Sequence, residues 1–228
     1  MNAVLAVWNN VHTEHEAEFN EWYIREHIPD RVSVPGFNNG RRHLALSSAD
    51  PRCPRNFTFY EVQNLAVLRS ASYLECLANP TEWTQRTMPW LKNMNRTACR
   101  VVCKAGQGHG AFAGTLRLTV EPDSQTDFDD WVQRVLLPAL IERPGIASAQ
   151  YWRGDVAATG GSTPESELRS GYDDAVTSAL MVSATHAGAL VNAASLTGPE
   201  VLENVGASSD GGLALYQLVY ALHQGISQ

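Results

Sequence analysis

Runs of apolar residues along the chain predict eight β-strands, which fall into two groups of four. The run GTLRLTVEP at 114–122 alternates apolar and polar residues, as expected of a strand with one buried face. In each group a helical pattern separates the first and second strands, and another, at 65–80 or 187–199, separates the third and fourth. The predicted strands are 3–11, 41–46, 56–62, 97–104, 114–122, 147–152, 178–184 and 213–222.

The two groups are related by a repeat in the sequence. Five aromatic, proline and glycine residues of the segment 19–37 recur, without a gap, 109 residues later in the segment 128–146. Five identities of uncommon residue types in one register indicate a duplicated unit. The identical pairs are Phe19 and Phe128, Trp22 and Trp131, Pro29 and Pro138, Pro35 and Pro144, and Gly36 and Gly145.

Each copy has the element order β-α-β-β-α-β, which is that of the ferredoxin-like unit. The predicted fold class is therefore α+β, with two tandem ferredoxin-like repeats. We assign residues 1–105 to the first repeat, 106–113 to a Gly-rich linker and 114–228 to the second repeat. The second repeat carries an insertion at 154–176, whose Gly, Ser, Thr and acidic residues predict a long loop.

The first helix carries the candidate chemistry. Thr13 and Glu16 have the spacing of a capping box, which predicts the start of the helix. Pro29 disfavours helical geometry at Ile28, so we expect the helix to end or kink there, with His27 in its last turn. In that position the helix dipole would favour the imidazolium and burial the neutral ring, a balance that predicts a pKa near neutrality.

Two residues of this helix that could carry chemistry do not recur. His27 corresponds to Leu136 and Tyr23 to Val132, whereas the recurring residues are typical core anchors and helix boundaries. This difference predicts one site in the first repeat and a second repeat kept for architecture. Two alternatives stay open: a degenerate duplicate also loses residues by drift, and a lone histidine also serves to hold a helix end through hydrogen bonds.

Composition narrows the classes of partner. The 228-residue chain is 44% hydrophobic and 18% charged, so a packed core is expected. Its net charge of −7, without a basic run, argues against nucleic acid and anionic membranes as partners. No apolar run reaches the ~18 residues of a membrane span, and the first residues lack the basic region of a signal peptide. We expect a cytoplasmic protein with reduced thiols at Cys53, Cys76, Cys99 and Cys103.

The segment EFNEWYIREHIPDRVSVPGF at 18–37 resembles the dimeric α+β barrel superfamily, in the neighbourhood of the EthD-like proteins. The resemblance implies a barrel built within one chain, one sheet per copy, with a further homodimer as an option. It also implies a cleft between sheet and helices for a small ligand. The superfamily includes cofactor-free monooxygenases, cyclases, lactone isomerases, haem-dependent enzymes and members without known chemistry, so the fold leaves function open. The matching residues are Phe19, Trp22, Tyr23, His27, Pro29, Pro35 and Gly36.

His27 is the candidate acid/base of such a cleft, with Trp22 and Tyr23 as its walls. His12 and His15 have a spacing that could hold a metal on a helix, but His27 lies more than three helical turns further on. We therefore predict no metal site. No dinucleotide-binding or other cofactor motif stands in the sequence, and we predict no cofactor.

The second and third predicted strands supply the remaining candidates. Arg41 and His43 share one face of the second strand and are candidates to hold an anionic or enolate oxygen. If this face looks toward the first helix, they converge with His27 and with Tyr60 of the third strand to bind substrate. If it looks into the barrel centre, they are interface residues.

The function predicted is that of a cofactor-independent enzyme of the isomerase, cyclase, lyase or monooxygenase type. It would act on a small apolar or aromatic carbonyl compound, with His27 moving a proton. An alternative from another class is a non-catalytic ligand-binding or stress-associated α+β barrel protein. A third is a pseudo-dimer with a structural role and no ligand.

Overall fold

Eight strands of the computed structural model close into one antiparallel barrel, and a short ninth strand, β8, pairs with β5 outside it. The structure describes residues 3–47, 53–169 and 173–225. The strands are β1 Ala3–Val11, β2 Phe37–Ala45, β3 Asn56–Val62, β4 Leu91–Gly106, β5 Phe112–Val120, β6 Ile146–Gly154, β7 Ser178–Ala184, β8 Ala207–Ser209 and β9 Ala214–His223.

The barrel consists of two four-stranded sheets with the same internal order. The first half has the order β4-β1-β3-β2, and the second half has the corresponding order β9-β5-β7-β6. Pairing of β4 with β6 and of β2 with β9 joins the halves, so each sheet edge in the barrel is covered by the other half. The predicted fold class, two ferredoxin-like repeats that form a dimeric α+β barrel within one chain, is confirmed. The boundaries at 105 and 114 stay a prediction.

Helices cover the outside of the barrel. The buried apolar residues form three cores: strand residues form one inside the barrel around Trp8, Phe57 and Trp152, and one lies beneath the helices of each half. The helices are α1 Glu16–Trp22, α2 Ile28–Ser33, α3 Ala71–Ala78, α4 Glu82–Thr87, α5 Gln125–Trp131, α6 Leu137–Ile141, α7 Val156–Thr159, α8 Pro164–Glu167, α9 Ala187–Ala193 and α10 Pro199–Glu203.

The first helix continues through Pro29, so of the two predicted outcomes, an end or a kink, the end is wrong. A π-helical turn at Tyr23–His27 joins α1 to α2, and the Ile28 N–H donates to the Tyr23 carbonyl five residues earlier. Because proline lacks an N–H and its ring crowds a carbonyl one turn back, a widened turn lets the helix pass it. The helix ends at Ser33, so the prediction that His27 lies in its last turn is wrong.

The start of this helix also differs from the prediction. A 3₁₀ turn at Thr13–His15 leads into α1, and neither helix start has a side-chain cap among the described residues. Glu16 instead pairs with Arg55, their charged atoms 3.2 Å apart. The predicted capping box is therefore wrong.

The second half repeats the geometry of the first helix. A π-helical turn at Val132–Leu136 precedes Pro138, and the Leu137 N–H donates to the Val132 carbonyl. The π turn thus belongs to the scaffold shared by both halves. It is not a feature of His27.

The insertion at 154–176 folds across the first half. It forms α7 and α8, and residues 170–172 lie outside the described residues. The Asp155 N–H donates to the Ala98 carbonyl, and the Arg96 N–H to the Asp174 carbonyl. Ala158 joins the apolar core of the first half. A segment of the second half therefore covers the helices of the first.

Candidate functional site

A small cavity lies between the first helix and the sheet of the first half, beneath the insertion. Its volume is about 30 Å³, enough for a water molecule and little more. Apolar side chains such as Leu5, Met88 and Leu91 form much of its wall. We call it the inner cavity, and its polar and aromatic lining consists of Trp22, Tyr23, His27, Arg31, Tyr60, Tyr73, Arg96, Glu165, Arg169 and Asn9.

Four residues singled out in the sequence meet at this cavity. The His27 ring lies 4.5 Å from the Trp22 ring and 4.9 Å from the Tyr23 ring, measured between centroids. Tyr60 reaches the same cavity from β3. The π turn contributes to this cluster, because Trp22, Tyr23 and His27 lie within or next to it.

His27 carries an unsatisfied nitrogen at this cavity. Its Nδ1 is buried and has no hydrogen-bond partner within the described part of the chain. Burial, followed by the positive charges of Arg31, Arg169 and Arg96, holds the His27 pKa well below its usual value. The expectation of a pKa near neutrality is therefore wrong, since the helix end is remote and arginines are close. At neutral pH the ring is uncharged and can accept a hydrogen bond or a proton.

The two tyrosines of the cavity are hydrogen-bond donors at neutral pH. Burial raises the pKa of Tyr23 and raises that of Tyr60 well above its usual value. The guanidinium of Arg42 supports the Tyr23 ring from β2, 4.9 Å from its centroid. Arg42 also donates to Asn20 and Asn56, at 2.6 and 2.9 Å. These contacts hold Arg42 in place against the Tyr23 ring, on the side of the aromatic cluster that faces the sheet.

Three arginines at the inner cavity were missed by sequence reasoning. Arg31 is buried and donates to the Cys76 sulfur at 2.9 Å and to the Glu165 carboxylate. Arg96 donates to the Tyr73 hydroxyl at 2.8 Å and to the Thr159 carbonyl at 3.0 Å. Arg169 extends from the insertion.

A usable signal existed for only one of these arginines. Arg31 follows His27 by four residues and shares its helix face, but the assumed helix end at Ile28 concealed this. Arg96 and the charged residues of the insertion have no local pattern that points to His27.

Arg41 and His43 lie on the opposite face of β2, inside the barrel. The His43 ring lies 5.4 Å from Phe57 and 5.8 Å from Phe59, and burial lowers its pKa to about 3. Arg41 pairs with Glu61 at 2.8 Å. Of the two alternatives, the structure has the one in which this face looks into the barrel centre. The convergence of Arg41 and His43 with His27 is therefore wrong, because the sheet separates them.

A larger cavity of about 440 Å³ adjoins the inner cavity on the side of the insertion. Four residues line both: Leu77, Arg96, Glu165 and Arg169. We call it the outer cavity. These side chains form the partition between the two spaces.

The corresponding region of the second half is apolar. Val132 and Leu136 take the places of Tyr23 and His27, and both are buried. Tyr151 replaces Arg42, and its hydroxyl donates to Ser178 at 3.0 Å, much as Arg42 donates to Asn56. The scaffold is shared, while the ionisable groups belong to the first half.

No group of three or more His, Cys, Asp and Glu side chains with the geometry of a metal site occurs in residues 3–47, 53–169 and 173–225. His15 stacks on Trp90 with ring centroids 4.1 Å apart. None of the described helices is long and apolar enough to cross a membrane.

Solved structures with the same fold are numerous, although neither a protein-family model nor a curated protein sequence matches this chain. An anthrone oxidase-like protein is similar over 100% of this chain and 94% of its own, with 15% identity and a TM-score of 0.62. A provisionally assigned monooxygenase from Fusobacterium nucleatum is similar over 98% and 95%, with 10% identity and a TM-score of 0.57.

A provisionally assigned chlorite dismutase is similar over 96% of both chains, with 10% identity and a TM-score of 0.58. These likenesses define the class of fold: the chain has the dimeric α+β barrel fold. At such low identity they define nothing finer.

Proposed function

We propose that this protein is a cofactor-independent enzyme that acts on a small apolar or aromatic carbonyl compound at the inner cavity, with His27 as the acid/base. The observation that carries the proposal is the buried, unpartnered Nδ1 of an uncharged histidine, beside aromatic walls and three guanidinium groups. A buried nitrogen without a hydrogen-bond partner destabilises the folded protein, and such unsatisfied groups are typical of active sites, where they bind substrate.

The chemistry follows from the charges around the ring. A proton leaves the position next to the substrate carbonyl for His27, and the electron pair stays on the substrate as an enolate. Arg31, Arg96 and Arg169 oppose an isolated imidazolium but stabilise an enolate among them. Proton transfer is therefore favourable only when the anion forms in this cavity. Return of the proton to a different carbon gives isomerisation. If the substrate has a leaving group on the β-carbon, the electron pair of the enolate forms a carbon–carbon double bond and expels that group, which is elimination. Addition of molecular oxygen to the enolate forms a carbon–oxygen bond and a peroxide that takes up the proton, which is the first step of oxygenation.

The names of the similar structures favour one part of this range of reactions without excluding the others. An anthrone oxidase-like protein and a monooxygenase favour the oxygenation branch. The EthD-like assignment, Trp22 and Tyr23 as pocket walls, and Tyr60 as a donor to the substrate oxygen are parts of the same proposal. Arg41 and His43 have no role in it, because they face the barrel interior.

Substrate entry requires a change at the insertion. The inner cavity, at about 30 Å³, is far smaller than an aromatic molecule, whereas the outer cavity offers about 440 Å³. Displacement of the Glu165 and Arg169 side chains would merge the two spaces. The insertion then acts as a cover that the substrate displaces.

Paired substitutions test the role of His27. His27→Ala should lower kcat/KM by about 10²–10⁴-fold on a substrate found by screening aromatic ketones and enols. Leu136→Ala is the matched control, because it truncates the equivalent buried residue of the second half, and its rate should stay near that of the unaltered protein. A folded His27→Ala protein with full turnover would refute the proposal. Ligand-induced thermal stabilisation without any turnover would favour the non-catalytic ligand-binding alternative.

A further inference from the structure

Arg96 is a cation with neutral partners. It donates to a hydroxyl and a backbone carbonyl, and no carboxylate among the described residues pairs with it. It is half-buried, and it lines the inner and outer cavities. A guanidinium withdrawn from water without a counter-ion is unfavourable, so its surroundings favour an anion.

The charges at the inner cavity are unbalanced. Three guanidinium groups line it, and Glu165 is the one carboxylate among its described lining residues. Arg31 pairs with Glu165 and Arg169 pairs with Asp173, whereas Arg96 has no carboxylate partner among the described residues. An oxyanion beside Arg96 would supply this missing partner and gain charge-assisted hydrogen bonds.

Glu165 shows where the oxyanion would bind. Its carboxylate, on α8 of the insertion, is paired with the buried Arg31, and both side chains are less than a tenth exposed. Arg96 lies close enough that the charges of Glu165 and Arg31 both act on it. A carboxylate therefore already binds Arg31, near Arg96, at the boundary with the outer cavity.

The wall next to this pair suits a flat apolar group. Tyr73 bonds to Arg96, and Trp22, Tyr23 and Tyr60 continue the aromatic lining toward His27. We propose that the inner cavity binds a small aromatic carboxylate, which bonds to Arg31 and Arg96 in place of Glu165. This inference rests on the proposed function and names the substrate class of the same site.

The direct test compares benzoate with benzamide, which has the same ring but no charge. Isothermal titration of the unaltered protein should show benzoate binding at least about tenfold tighter than benzamide. Glu165→Gln removes the competing charge, so it should tighten benzoate binding by about tenfold and leave benzamide binding unchanged. Equal affinity for the two probes, or no benzoate binding to either protein, would overturn the proposal.

A second pair of variants locates the effect. Arg96→Met keeps the length of the side chain and removes its charge, so benzoate binding should weaken by about tenfold or more. Arg134→Met is the control, because Arg134 is exposed and pairs with Asp130 on the second half, and it should bind benzoate like the unaltered protein. Equal effects of the two substitutions would contradict the assignment of Arg96.

The binding test and the catalytic test fail independently. Binding is measured without turnover, and His27→Ala should retain the preference for benzoate over benzamide. If the unaltered protein shows no preference for benzoate, the proposed substrate class is wrong, but the test of His27 by turnover still applies. If Glu165→Gln does not fold, the comparison of the two probes on the unaltered protein still decides the proposal.

Discussion

At the residue scale, position 27 distinguishes the two halves of the barrel. His27 and Leu136 are the last residues of equivalent π turns. The His27 ring has an unsatisfied nitrogen at a cavity, whereas the Leu136 side chain is part of an apolar core. Comparison of the repeats in the sequence was enough to single out His27 and Tyr23. The Arg96 contribution could not be predicted, because its hydrogen bond to Thr159 spans 63 residues of the chain and leaves no local pattern.

Buried histidines should make the protein sensitive to acid. Burial lowers the pKa of His43 to about 3 in the folded state, whereas an unfolded histidine titrates near pH 6.5. The unfolded state therefore binds more protons between these values, so the free energy of unfolding falls as pH falls through about 6.5 toward about 3. The pKa of His27 is lowered in the same direction and adds to the effect.

Replacement of one histidine measures this linkage. His43→Phe keeps a flat ring between Phe57 and Phe59 and removes the titration. Between about pH 7 and about pH 4.5, the variant should lose about 2 kcal/mol less unfolding free energy than the unaltered protein, by urea denaturation. His12→Gln, at an exposed position, should lose as much as the unaltered protein. Equal losses in all three proteins would refute the linkage.

At the element scale, the first helix and the insertion depart most from the sequence predictions. Pro29 was expected to end or kink the helix, but a π turn carries the chain through to Ser33 and brings Arg31 to the cavity. The insertion was expected to be a long loop, yet it contains two short helices. The small and polar residues of the insertion gave no sign of these helices. The helices depend on side-chain caps and on contacts with a distant part of the chain, which do not produce a pattern of apolar residues.

A capping box holds α8 in place over the site. The Thr163 hydroxyl accepts from the Ser166 N–H at 3.2 Å, and the Ser166 hydroxyl accepts from the Thr163 N–H at 2.7 Å. Thr163→Ala should cost about 1 kcal/mol of local stability and speed amide hydrogen exchange in residues 163–168 about fivefold. Thr163→Ser, which keeps the hydroxyl, should exchange like the unaltered protein. Unchanged exchange in Thr163→Ala would show that the cap does not hold this segment.

At the scale of the whole molecule, each half completes the other. Strand pairs β4–β6 and β2–β9 close the barrel, and the insertion of the second half covers the site of the first. The repeat and the order of the elements could be predicted, because recurring residues and apolar alternation are local signals. The internal barrel was implied by the resemblance of residues 18–37 to the dimeric α+β barrel superfamily. The position of the insertion over the first half could not be predicted, because its contacts join segments that lie far apart along the chain.

The barrel has another cavity that a small ligand could occupy. It is about 230 Å³ in volume, lies at one end of the barrel and is lined by Trp8, Cys53, Thr115 and Tyr216, among others. It is more apolar than the inner cavity and needs no displacement of the insertion. It is therefore the alternative to the inner cavity as a binding site for a small ligand.

The position of a bound aromatic carboxylate tests the central claim most directly. A crystal structure of the unaltered protein with benzoate should show its carboxylate on Arg31 and Arg96, its ring beside His27, and Glu165 displaced toward the outer cavity. Benzoate bound at the barrel end beside Cys53 and Tyr216, with the Arg31–Glu165 pair intact, would contradict the claim that the first-half cleft is the functional site.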